Sequence, residues 1–142
     1  MELELLIHLV GFALGFGAVM LVDTVGLLWV LRKAKAEQLG WISGIAQKII
    51  WSSVVIQIVT GSMLLEPDHV TIRTKVKLAA VLILVINGVV LDRLRKQMLS
   101  YKQDDFWKLP RSFQLGSAVA ISLSQLCWWT ATIIGFISSS SH

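Results

Sequence analysis

The chain predicts an all-α, polytopic membrane protein: a single domain built as an antiparallel bundle of four transmembrane helices. Three observations carry that expectation. Of 142 residues, 55% are hydrophobic and 15% charged, and the mean hydropathy is +0.71; a soluble domain carries charge on about a quarter of its residues. The charges cluster, so that long windows lack them and short windows are dense in them, the pattern of spans and loops. The apolar runs reach about 20 residues, too long for barrel strands, and period-2 alternation is absent.

The first span runs from about Leu5 to Leu31, and its titratable interruptions are His8 and Asp23. The start Met1-Glu2-Leu3-Glu4 has acids where a secretory signal has bases, so this span is expected to stay in the mature protein. The second span covers about Ile42 to Leu65. It stops at Glu66-Pro67-Asp68, where proline lacks an N–H and pushes its predecessor out of helix. The third covers about Val76 to Leu94, and the fourth, entered after Pro110, about Phe113 to Ile137. Between the last two, residues 95–111 suggest an amphipathic inner loop, with Phe106-Trp107-Lys108-Leu109 lying at the leaflet surface. The tail Ser138 to His142 is polar and low in complexity, and His142 is given no role.

Loops one and three share a side of the membrane and hold nine Lys and Arg; loop two holds three. The positive-inside rule then puts loops one and three in the cytoplasm and both termini outside. The net charge of +4 is accounted for by these loops, so no nucleic-acid partner is expected. Trp29, Trp41 and Trp107 read as an inner aromatic belt, and Trp128 and Trp129 as an outer one. Gly11-x-x-x-Gly15 and Gly40-x-x-x-Gly44 read as close helix contacts within the chain. Ser52, Ser53, Thr60, Ser122 and Ser124 are expected to bond carbonyls of their own helices.

Polar residues inside the spans form two groups. An ionised carboxylate at mid-bilayer costs roughly 2.5 to 3.5 kcal/mol on insertion scales, so Asp23 needs a partner or a task. With span centres near Ala18 and Ser53, Asp23 and Lys48 both lie ~7 Å toward the cytoplasm at 1.5 Å per residue, which predicts an Asp23–Lys48 ion pair. Gln57, Asn87 and Gln125 are candidates to extend this intramembrane network. At the outer end His8, Lys77 and Trp128 are a candidate cofactor-binding group, beside Glu66, Asp68, His69 and Arg73. His8 reads as a haem ligand, a proton carrier or a hydrogen-bonded interface histidine. One cysteine, Cys127, excludes an internal disulfide or a cysteine metal cluster. The sequence contains no nucleophile elbow, Walker loop, H-E-x-x-H or dinucleotide fingerprint.

His8, Gly11, Gly15, Gly17 and Asp23, with Ile50-Trp51, Thr60-Gly61, Lys77, Val85-Ile86-Asn87-Gly88 and Leu91-Asp92-Arg93, resemble the pattern of a group of small bacterial four-helix membrane proteins. More distantly, a histidine opening span one and a lysine opening span three are similar to the copper-resistance D and HemJ-type superfamily, whose HemJ-type members are haem-associated protoporphyrinogen oxidases. That resemblance implies a bacterial inner-membrane location, haem as cofactor and site roles for His8 and Lys77. Asn87 stands where haem-binding relatives commonly have histidine, and Asp23 replaces an arginine-containing stretch. Three functions stay open: a redox or haem-handling module, a proton or ion conduit through Asp23 and Lys48, and an accessory subunit. The expected partners are the lipid bilayer and either a homo-oligomer or a larger membrane complex.

Overall fold

The protein's structure is a computed structural model, and it describes residues 2–140, apart from the side chain of Ser139. Ser141 and His142 of the polar tail lie outside the described residues. Four long helices follow one another: α1 (Glu2–Val30), α2 (Ala36–Met63), α3 (Ile72–Ser100) and α4 (Arg111–Ser140). Single 3-10 turns, Pro67–His69 and Phe106–Lys108, punctuate the two longer loops. No strand occurs among the described residues, and all four helices are long and apolar enough to cross a membrane.

Each helix extends past its apolar window at one end or both, because polar residues near the ends are compatible with helix, while α1 and α2 stop at Val30 and Met63, one and two residues short of the expected limits. α3 continues from Asp92 to Ser100, where Asp92 pairs with Arg95 at 3.3 Å and with Lys96 at 2.9 Å along one face. α2 begins at Ala36, nearly two turns earlier than hydropathy suggests, because Gln38 accepts a bond from the Lys35 N–H at 2.9 Å. α1 closes in a Schellman turn. Lys33 N–H bonds Leu28 O at 2.7 Å and Arg32 N–H bonds Trp29 O at 2.9 Å, with Arg32 left-handed at φ 61°. A non-glycine residue is strained there, and Arg32 is held by its ion pair with Asp105 at 3.3 Å.

The helices form a closed ring in chain order, each antiparallel to the next, and each of the four seams carries a side-chain hydrogen bond. Ser53 Oγ donates to Gly11 O at 2.6 Å across α1–α2, and Gln47 Nε2 to Gly88 O at 3.4 Å across α2–α3. Asn87 Nδ2 donates to Ala120 O at 2.7 Å across α3–α4, and Gln125 to Asp23 across α4–α1. The closest backbone approach is at Gly15, where a Cβ would fall 2.7 Å from Ser53 Cβ and 2.9 Å from Trp128 Cη2. Gly11 faces α2 in the same way, while Gly40 faces Leu99 of α3. Both glycine pairs therefore serve packing within the chain. Ser52 and Thr60 do bond their own helix, to Lys48 O and Ile56 O, but Ser53 reaches across to α1.

Loop three is not a flat amphipathic strip. Phe106 and Leu109 turn inward onto a cluster of Trp29, Leu39, Met98 and Phe113 that plugs one end of the bundle. Trp29 is buried and its Nε1–H donates to Asp104 O at 2.7 Å, while Trp107 Nε1–H donates to Val30 O at 3.0 Å. These two indoles bond the loop to α1. Gln114 gathers the carbonyls of Phe106, Trp107 and Leu109. Desolvation raises the Asp105 carboxyl, yet the Trp107 N–H and the Arg32 guanidinium outweigh it and hold the group below the usual carboxylate range.

Candidate functional site

The end of the α1–α2 seam that carries the N-terminus presents an oriented imidazole. His8 lies on the second turn of α1, and Thr60 lies one turn from the end of α2. Antiparallel packing sets them at one level, with His8 Nδ1 2.8 Å from Thr60 Oγ1. The Thr60 hydroxyl has a single hydrogen, and it donates that hydrogen to Ile56 O at 2.6 Å. It therefore accepts from His8, so Nδ1 carries the proton and Nε2 keeps its lone pair. Gln57 Nε2 donates to the His8 backbone carbonyl, fixing the turn that carries the ring. At Gly61 a Cβ would lie 3.6 Å from His8 Cε1, so the absence of a side chain there leaves that edge of the imidazole open.

Lys77, on the second turn of α3 and half-buried, stands near enough for its ammonium to act on this imidazole through space. Among the described residues it forms no ion pair. Glu66, Asp68 and His69 on the neighbouring loop, and Arg73 on the first turn of α3, are exposed and share no hydrogen bond with His8. Trp128 does not belong to this group. α4 runs on to Ser140, so Trp128 lies near its middle, 3% exposed and packed on Phe12 and Phe16 at 5.3 and 6.0 Å between ring centroids. Trp129 is also at mid-helix, edge-on to Phe16. The expected outer aromatic belt is instead an aromatic layer in the bundle's centre.

The Asp23–Lys48 pair is not formed. Asp23 accepts from Gln125 Nε2, and Gln125 Oε1 accepts from Trp129 Nε1 at 3.1 Å. The indole N–H can only donate, so it turns the amide oxygen toward itself and the amide NH2 toward the carboxylate. Two geometric facts defeat the pairing. Asp23 falls on the stripe of Phe12 and Phe16, spaced four and seven residues, which faces α4. Lys48 is five residues before the α1-facing Ser53, roughly 140° around the helix at 3.6 residues per turn, and is exposed. The true helix limits also put Lys48 within about 2 Å of the middle of α2 but Asp23 about 10 Å from that of α1, at 1.5 Å per residue.

Gln57 and Asn87 are engaged in single cross-helix bonds rather than in a shared network. Arg95, expected at the start of the inner loop, lies in α3 and is three-quarters buried between Asp92 and Gly44 of α2, its Nε unbonded. The signal was Gly44, a gap opposite a long side chain. No group of three His, Cys, Asp or Glu able to hold a bare metal ion occurs among the described residues. A scan against family models, a search of curated proteins and a search of solved structures each found no match.

Proposed function

We infer that the protein is a haem-handling module of a bacterial inner membrane, with both termini outside and His8 as its ligating group. The observation that carries this reading is the Thr60 lock on Nδ1–H, which leaves His8 Nε2 as a directed lone pair. Metal-binding imidazoles are oriented in this manner by a partner on the other nitrogen. One imidazole does not hold a bare cation, but it would suffice to hold a haem, whose macrocycle supplies the other donors to the iron. Bound haem would supply one-electron redox chemistry. Lys77 would pair with an anionic edge of the ligand, and the apolar flank of Leu5 and Leu9, exposed on α1, would face its hydrophobic body. The resemblance in His8 and Lys77 to the copper-resistance D and HemJ-type superfamily supports the same assignment.

The conduit reading has no comparable support. Asp23 and His8 lie about 22 Å apart along α1 at 1.5 Å per residue, with the Phe12, Phe16 and Trp128 layer between them. The test is a haem titration of the protein in lipid nanodiscs, followed by absorption. A shifted Soret band saturating at one haem per chain is expected, abolished in His8→Ala and weakened about 10- to 100-fold in Thr60→Val. A preparation of His8→Ala that gives the same spectrum as the parent protein refutes the assignment.

A further inference from the structure

A second feature is an apolar groove on the outside of the α1–α2 seam, ending one turn from His8 at Gly11 and Ile56. It consists of two contiguous depressions of about 390 and 300 Å³ that share Leu14 and Ile49. Gly17 lines the first, with open space where a Cβ would stand, and Trp41 closes its end. Lys48 borders the second and is the one charged residue of either depression. Its ammonium forms no ion pair among the described residues.

Depth identifies what would neutralise it. Lys48 lies about 2 Å from the middle of α2 at 1.5 Å per residue, so a hydrocarbon core of about 30 Å centred on that helix has its edges about 13 and 17 Å away. A lysine stem reaches about 6 Å, so snorkelling falls short of both membrane surfaces. A lipid headgroup stays at the surface, whereas a carboxylate carried on a helix sits at any depth. A second copy of this chain does not supply one. Its acid nearest that depth, Asp23, is held by Gln125 on another seam.

We propose that this groove docks a transmembrane helix of a different polypeptide, one carrying an Asp or Glu at mid-membrane that pairs with Lys48. The groove supplies close packing over Gly17, and the ion pair sets register and partner choice. The test uses a labelled leucine–alanine transmembrane peptide with one central Glu, co-reconstituted with the labelled protein in phosphatidylcholine vesicles and read by energy transfer. The central-Glu peptide is expected to bind at least tenfold more tightly than a central-Leu peptide. Lys48→Met removes the preference. Gly17→Leu, at a position with room to fold normally, removes binding while keeping the charge. Lys48→Glu transfers the preference to a central-Lys peptide. Equal binding of the two peptides overturns the proposal. So does loss of the preference on adding phosphatidylglycerol, which assigns Lys48 to lipid, or its displacement by unlabelled protein, which assigns the groove to self-association. None of these outcomes depends on haem.

Discussion

Gly15 and Gly17, two residues apart on α1, are expected to respond to alanine with opposite sign. At Gly15 the added Cβ would stand 2.7 Å from Ser53 Cβ and 2.9 Å from Trp128 Cη2, whereas carbon atoms pack at about 3.5–4.0 Å. Neither neighbour can turn away. Ser53 Cβ is fixed to the α2 backbone, and Trp128 is 3% exposed and wedged against Phe12 and Phe16. Relief requires α1 and α2 to separate by about 1 Å against that packing, an overpacking cost of about 2–3 kcal/mol. Alanine recovers about 1 kcal/mol of helix propensity, so Gly15→Ala should destabilise by about 1–2 kcal/mol, roughly a 5- to 30-fold shift in the folding equilibrium. Gly17→Ala meets nothing within 4 Å and keeps only the propensity gain, up to about 1 kcal/mol of stabilisation. Steric-trap or SDS mixed-micelle unfolding reads both. Adding Ser53→Gly to Gly15→Ala should restore most of the loss. Equal effects at the two glycines, or no rescue, would refute the α1–α2 geometry.

Other perturbations test separate seams. Gln125→Leu leaves the Asp23 carboxylate without its amide and should cost about 1–3 kcal/mol by the same unfolding assay, while Gln125→Glu should be worse because it adds a like charge. Asn87→Leu removes one cross-helix bond whose acceptor, Ala120 O, keeps its helical partner, so a loss of only about 0.6 kcal/mol is expected. Asp105 is held below its ordinary carboxylate range. Its contribution is therefore complete above the unfolded-state value and disappears as pH falls through the lower folded-state value. The hydrogen-exchange protection of residues 101–109, relative to their intrinsic rates, should fall on acidification below about pH 4, and Asp105→Asn should be poorly protected at every pH. An unchanged pH profile in that variant would remove Asp105 from the account.

Membrane spans are legible in a sequence because the bilayer tests one scalar, apolar length: α3 and α4 contain their expected windows, and α1 and α2 cover all but the last one and two residues of theirs. Their ends were not legible from hydropathy, since the Asp92–Arg95–Lys96 turns are polar yet helical. Partner choice failed for a different reason. Depth is one coordinate and rotation about the helix axis is another. Asp23 and Lys48 were matched on the first alone. The second was present in the spacing: Phe12, Phe16 and Asp23 share a stripe distinct from that of Gly11 and Gly15. Once the glycines were assigned to α2, Asp23 had to face another helix. Trp128 misled because aromatic residues near a span end suggest a belt, and only the extent of α4 shows that it lies in the middle. The Thr60 partner of His8 depends on which hydroxyl of α2 turns toward α1, a detail of side-chain rotation invisible in composition.

The presentation of His8 Nε2 as a ligand is tested most directly by nitrogen NMR of the imidazole, with ¹⁵N-histidine introduced and His69 replaced to simplify the spectrum. A protonated Nδ1 and a lone-pair Nε2 are expected in the ligand-free protein, then selective loss or displacement of the Nε2 resonance when haem is added. A protonated Nε2, or an Nε2 resonance indifferent to haem, would contradict it.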